Sequence, residues 1–311
     1  MKLELFRSLF AMLLSLFVTV ENDSSSRYID ISKSRDIEIA GGDNAMIAKN
    51  PPHINAKSAW LGCLCGESPL YAFNPSVQLP LASVSKIMTS YLALRELGPD
   101  YLAVISDKAI ETEGIAGDLR AGETFTVRDL IIMAMTYSSN DAAMALAEAL
   151  GEAHGAKTFS DAIQQTVWIM NEEARVLGMQ HTFFQNPTGL DISRAGFSDH
   201  LGPSNFSSAH DITKLLDATR AYPLLWDLSR DETLAVISKE GIVHTLLNLN
   251  PFRAYPHYVA GKTGTTDLAG ENLVMLFERP LGKLHALILF GAPSGQREIE
   301  AQKLLDWMNG V

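Results

Sequence analysis

The chain has 311 residues, 47% hydrophobic and 20% charged, which is enough to bury a full core and excludes a fibrous or disordered composition. A formal net charge of −11, with no Lys/Arg cluster, excludes a protein built to grip nucleic-acid phosphates.

Lys2 and Arg7 precede an apolar run, Leu9 to Val20, of signal-peptide length and short of the ~20 residues that span a bilayer. Residues 1–20 are therefore expected to be an export signal or a short membrane anchor. Small residues at cleavage-site spacing occur only at Ser24 and Ser26, so both outcomes stay open. Residues 21–52, weakly patterned and containing Ser, Asp and Pro, read as a linker, leaving 53–311 as the folded domain.

A hairpin is expected from Ala59 to Cys65, a turn through Gly66-Glu67-Ser68-Pro69, and Leu70 to Phe73. Cys63 and Cys65 would share one face of that strand, so a bridge between them is not expected, and two thiols are too few for zinc. Small buried apolar residues are the expected role. A helix follows from Ser83 to Leu97, stopped by Gly98-Pro99.

The middle is helical. Thr126 and Asp129 form a capping box before Leu130-Ile131-Ile132, and Tyr137-Ser138-Ser139-Asn140 breaks the chain before a helix from Asp141 to Leu150, ended by Gly151. Further helices are expected from Phe159 to Leu177 and from a Ser208/Asp211 cap to Arg220. Leu273 to Phe277 and His285 to Phe290 are continuous apolar runs joined by Pro280-Leu281-Gly282, the pattern of paired, buried strands. Ser294 is expected to open a last helix. The fold class is thus α/β (α+β): early and late strands share one sheet, an all-helical lobe is inserted, and a cleft forms at the junction.

Three short motifs carry chemistry. In Ser83-Val84-Ser85-Lys86, positions i and i+3 lie on one helical face. A neutral lysine there can take the serine proton, and the helix N-terminus favours developing negative charge. That requires a lysine pKa lowered from ~10.4 to ~7, which burial and a second nearby cation can supply. Alone the motif reads equally as an N-cap serine and a surface lysine. Ser138-Ser139-Asn140 alone reads better as helix capping. Gly261-Lys262-Thr263-Gly264-Thr265-Thr266 is not a P-loop, because Pro256 stands where that motif needs glycine. A lysine, a threonine and a glycine ending a strand can instead admit a peptide backbone and hold a carboxylate.

The order S-x-x-K, S-x-N, K-T-G is that of penicillin-binding proteins and class A β-lactamases. With Leu177-Gly178-Met179, Asn186-Pro187-Thr188-Gly189-Leu190-Asp191 and Ala269-Gly270, the chain from about Lys57 to Asn309 resembles the low-molecular-mass penicillin-binding proteins, the serine D-Ala-D-Ala carboxypeptidases and endopeptidases. The resemblance implies a β-lactamase/transpeptidase-like fold, with an antiparallel sheet flanked by helices. It implies hydrolysis of peptidoglycan stem peptides, acylation by β-lactams, an exported location in the periplasm or on the outer face of the cytoplasmic membrane, and no cofactor or metal. By the same resemblance Ser83 is the nucleophile and Lys86 its base, and the backbone N–H groups of Ser83 and Thr265 form the oxyanion hole. Ser138 and Lys262 pass a proton to the leaving amine, Asn140 binds the substrate amide, and Thr263, Gly264 and Thr265 receive the carboxylate end. The second cation that lowers the Lys86 pKa is expected to be Lys262.

The chain also departs from the pattern. Ser139 stands where the family usually has glycine, which points to a stiffer loop. Asn248-Leu249-Asn250 lacks the arginine that some carboxypeptidases use to hold the substrate carboxylate. Arg297 matches a family arginine, with a surface pair to Glu300 as its other reading. No C-terminal β domain is expected before Val311, a plan more typical of the endopeptidases, so crosslink cleavage is the alternative to terminal D-Ala trimming. A class A β-lactamase is disfavoured because no Glu-x-x-Leu-Asn follows Asn140. A non-hydrolytic penicillin sensor would have no reason to keep a buried lysine. No G-x-S-x-G or His-Glu pair supports another hydrolase class.

Overall fold

The computed structural model describes residues 50–112, 114, 117–191, 205–228 and 230–310. The expected export segment and residues 21–49 of the linker lie outside them. In chain order, β1 (Ser58–Cys63) and β2 (Tyr71–Phe73) form the expected hairpin. β3 (Leu79–Pro80) leads through a 3-10 turn, Ala82–Ser85, into α1 (Lys86–Leu97), closed by Gly98 at φ 80°. β4 (Leu102–Val104) and β5 (Thr124–Thr126) make a small ribbon. α2 (Val127–Ile132) begins with the predicted capping box and widens into a π-helical turn, Met133–Tyr137. Then come α3 (Asn140–Ala153), α4 (Phe159–Val176), β6 (Phe206–Ser207) and α5 (Ala209–Thr219), the last capped by Ser208 as expected. The hairpin β7 (Thr233–Ile237) and β8 (Val243–Leu247) precedes β9 (Tyr258–Thr266), β10 (Gly270–Glu278), β11 (Leu284–Ala292) and α6 (Arg297–Asn309).

Early and late strands do share one antiparallel sheet, in the order β2-β1-β11-β10-β9. Its alternate residues feed two cores, as period-2 side chains must. Leu273, Met275 and Phe277 of β10 pack with Leu304, Leu305 and Met308 of α6. Val274 and Leu276 face the other way and join Val84, Ile87, Leu130 and Leu146 of the helical lobe. Both faces are covered, which is why β10 and β11 read as unbroken apolar runs. Lys262, two residues beyond lobe-facing Ala260 and paired with Val274, lies on that same lobe face.

Four features differ from expectation. Cys63 and Cys65 are disulfide-bonded, with Cα atoms 5.2 Å apart. β1 ends at Cys63, so strand geometry no longer governs Cys65, which is exposed rather than buried. α3 runs past Gly151 to Ala153; a Cβ at that glycine would strike the backbone of Ala162, so it serves the α3–α4 crossing and not a helix stop. α6 starts at Arg297 and not Ser294, because Gly295 holds φ at 71°, outside the helical region. The β7–β8 hairpin was not expected; only Val236, His244 and Leu246 are buried, too few to stand out in the sequence.

Candidate active site

The 3-10 turn carrying Ser83 is held from three sides. Leu81 N donates to Asn205 O, and Asn272 Nδ2 donates to the carbonyls of Pro80 and Leu81. Gly189, at φ 86°, lies against the Ala82 carbonyl in space that any side chain would need. Ala82 itself sits at φ 48°, a left-handed conformation costly for a residue with a Cβ, immediately before the half-buried Ser83.

Lys86 follows at the first position of α1, fully buried. Its Nζ lies 2.8 Å from Ser83 Oγ, and donates to Asn140 Oδ1 at 2.8 Å and to Thr188 O at 3.0 Å. Two of these partners can only accept. A neutral amine has two N–H groups, so satisfying both leaves its lone pair directed at the serine hydroxyl. Burial, reinforced by the Lys262 charge, holds the Lys86 pKa well below the ordinary lysine range. The expected cation is present, but loss of solvation is the larger cause.

Ser138 closes the π-helical turn in a left-handed conformation, φ 68°, and its Oγ accepts from Lys262 Nζ at 2.8 Å. The same Nζ donates to Thr263 O at 2.7 Å. Burial, with Arg297 nearby, lowers the Lys262 pKa to about 7. Ser139 does not strain the break: its φ is −54°, and its hydroxyl accepts from Ala142 N as the N-cap of α3. The position that needs a left-handed backbone is Ser138.

On β9, Gly264 presses against the turn that carries Ser83; a Cβ there would come within 3.0 Å of Ser83 N. The next residue, Thr265, is exposed, and its Oγ accepts from Arg297 Nη1 at 3.2 Å. Arg297 also pairs with Glu298 at 3.0 Å. The alternative pair with Glu300 is not made: Glu300 is buried and engaged by Lys303 and Asn55. All nine sequence-predicted residues, Ser83, Lys86, Ser138, Asn140, Lys262, Thr263, Gly264, Thr265 and Arg297, therefore fall into one connected cluster.

Sequence reasoning missed the roles of Thr188, Gly189, Asn205 and Asn272. The first two lie in the Asn186-to-Asp191 signature, where Asn186 Oδ1 accepts from Thr188 N and Gly189 N and so fixes the Thr188 carbonyl that Lys86 uses. Asn205 Nδ2 donates to Ser85 Oγ, and Asn272 Oδ1 accepts from Gly291 N. A lone asparagine carries no local signal of such a task.

Residues 44–291 match the family model described as D-alanyl-D-alanine carboxypeptidase (peptidase family S11). The chain is 33% identical over 242 residues to the D-alanyl-D-alanine endopeptidase of Escherichia coli K12, an alignment covering 74% of this chain and 70% of that protein. It is 30% identical over 251 residues to the enzyme of the same name from Pseudomonas aeruginosa, covering 77% and 72%. In three dimensions it is similar to the Streptomyces K15 DD-transpeptidase, with a TM-score of 0.71, 23% identity, and 84% and 99% of the two chains covered. A D-alanyl-D-alanine carboxypeptidase from Mycobacterium tuberculosis gives a TM-score of 0.70 at 24% identity, over 84% and 93%. These two likenesses bear out the expected penicillin-binding fold. The chain belongs to the D-alanyl-D-alanine carboxypeptidase family of serine peptidases.

Proposed function

We propose that this chain is a serine D-alanyl-D-alanine carboxypeptidase that trims peptidoglycan stem peptides through an acyl-enzyme on Ser83 and is acylated there by β-lactams. One observation carries the reading: a fully buried Lys86 whose Nζ, 2.8 Å from Ser83 Oγ, has its N–H groups claimed by two obligate acceptors. Lys86 takes the hydroxyl proton as Ser83 attacks the carbonyl of the penultimate D-alanine. The N–H groups of Ser83 and Thr265 receive the oxyanion, a role supported by the close approach of Gly264 to Ser83 N. Lys262 and Ser138, hydrogen-bonded to each other, return a proton to the departing amine. Thr263, Thr265 and Arg297 hold the carboxylate end, and water then releases the product.

The second reading is a D,D-endopeptidase that cuts D-Ala crosslinks. It is favoured by Asn248-Leu249-Asn250, which puts a half-buried leucine where some carboxypeptidases carry a carboxylate-binding arginine, and by the names of the two relatives above. An exported, oxidising location is supported by the Cys63–Cys65 disulfide and by residues 1–20, which serve as signal or anchor.

The test is labelling with a tagged penicillin, followed by mass spectrometry of products from a pentapeptide and a crosslinked muropeptide. Ser83 carries the label, Ser83→Ala abolishes it while remaining folded, and Lys86→Ala slows acylation by several orders of magnitude. Labelling that persists in Ser83→Ala overturns the nucleophile assignment.

A further inference from the structure

Cys63 and Cys65 are joined across a single residue, Leu64. In the sheet Cys63 is opposite His285, and the row continues through Phe277 to Tyr258, the first residue of β9; Thr263 and Thr265 lie toward the other end of that strand. A bridge over so short a span removes little chain entropy from the unfolded state, so it adds little to stability. Nor is it needed to keep the two cysteines together. Leu64 N donates to Leu284 O and Leu64 O accepts from Arg220 Nη1, each at 2.9 Å, while the Leu64 side chain is buried in the lobe-facing core. With the bond open, the thiols would remain neighbours and could close again.

The two sulfurs differ in access: Cys63 is buried and Cys65 exposed. An incoming thiolate therefore meets Cys65, which makes Cys63 the leaving group. A thiolate released in a buried position needs a proton partner. His285 stands directly opposite Cys63, and side chains opposed in this way share one face of the sheet. Its Nδ1 lies 3.1 Å from the Lys283 carbonyl, which can only accept, so Nδ1 donates there and Nε2 is the nitrogen left to exchange a proton. Stacking against Phe277 holds the ring in place.

We infer that Cys63–Cys65 is a second reactive site, a disulfide that exchanges with dithiols. A thiolate of the dithiol bonds to Cys65 Sγ, the Cys63–Cys65 bond breaks, and Cys63 leaves as a thiolate that takes a proton from His285 Nε2, itself protonated from solvent. The second thiolate of the dithiol then attacks its own sulfur in the mixed disulfide, and Cys65 leaves and is protonated by solvent. Two electrons pass from the dithiol, which ends as a disulfide, to the cysteine pair, which ends as two thiols. In the reverse direction His285 Nε2 takes the Cys63 proton and the bond re-forms. The site stands on its own geometry and does not depend on the acyl-enzyme reading.

The test uses the full chain without denaturant, dithiothreitol as the dithiol, and maleimide trapping read by mass spectrometry. Both thiols should appear about tenfold faster than those of oxidised glutathione, an unconstrained disulfide, under the same conditions. The reduced protein should keep its thermal midpoint and its rate of penicillin acylation, and should re-form the same bond when oxidised glutathione replaces the dithiol. Reduction that requires denaturant, or that runs no faster than that of glutathione, overturns the inference. So does a double variant, Cys63→Ser with Cys65→Ser, that melts well below the wild type, since the bond would then be a structural brace. His285→Gln and His285→Phe, one keeping a polar group and the other the stacked ring, should each slow exchange about tenfold. Unchanged rates in both overturn the proton role of His285.

Discussion

Lys262 Nζ donates to Ser138 Oγ over 2.8 Å, joining two residues 124 positions apart across the junction of sheet and helical lobe. Both are buried, and removing either takes a hydrogen-bond partner from the other in a poorly solvated site. Lys262→Ala and Ser138→Ala are each expected to lower kcat on peptide substrates by about 10²–10⁴. The double variant should be little worse than the poorer single, because in the proposed mechanism the two groups deliver one proton as a unit. Steady-state kinetics on the three variants checks this; losses that multiply would mean independent roles.

The two buried lysines also make stability depend on pH. Lys262 titrates near 7 in the folded chain and Lys86 well below the usual lysine range, whereas both titrate near ~10.4 when unfolded. Between about pH 7 and 10 the unfolded chain therefore binds protons that the folded chain does not, and stability rises with pH. Each fully shifted lysine contributes roughly 1 kcal/mol per pH unit in that window. Above it the buried Tyr258, whose pKa is raised, turns the slope over. Urea denaturation at pH 7, 8 and 9 should give a steeper rise for the wild type than for Lys262→Met, and parallel curves would count against it.

Gly189 is irreplaceable for two separate reasons: its φ is 86°, and the Ala82 carbonyl occupies the place of its Cβ. Gly189→Ala should destabilise the fold by about 2 kcal/mol or more and slow penicillin acylation, since relief comes by shifting the turn that carries Ser83. Denaturation and acylation kinetics test the two effects separately. A variant with normal acylation would show that the turn does not depend on this contact.

Arg297 reaches Thr265 Oγ at 3.2 Å from the start of α6. Arg297→Ala is expected to raise KM for a pentapeptide with a free C-terminal carboxylate about tenfold, the worth of one charge-assisted hydrogen bond. A C-terminally amidated peptide, lacking that charge, should show no such change. Equal effects on both peptides would remove Arg297 from carboxylate recognition.

Much of this architecture is legible in the sequence because its signals are local. The Thr126/Asp129 box, the stop at Gly98 and the apolar runs of β10 and β11 each report on a few neighbouring residues. The candidate catalytic cluster is legible through three motifs whose spacing is characteristic only in combination. What escaped depends on distant partners. Asn272 holds Leu81 across 191 positions, and Asn205 reaches Ser85 across 120. Gly151 looks like a stop and is a crossing point, and Cys65 escapes the strand rule because the strand has already ended.

The Lys-Thr-Gly strand, β9, is the outermost strand of its sheet among the described residues. Backbone groups on such an edge invite any extended chain to dock as an added strand, which suits an enzyme of peptides. The same openness invites other copies of the protein, and covering the edge would close the site. Mutual repulsion between molecules of formal charge −11 is a defence that leaves the cleft clear. Its strength is set by ionic strength, so concentrated salt should promote self-association before it harms the fold.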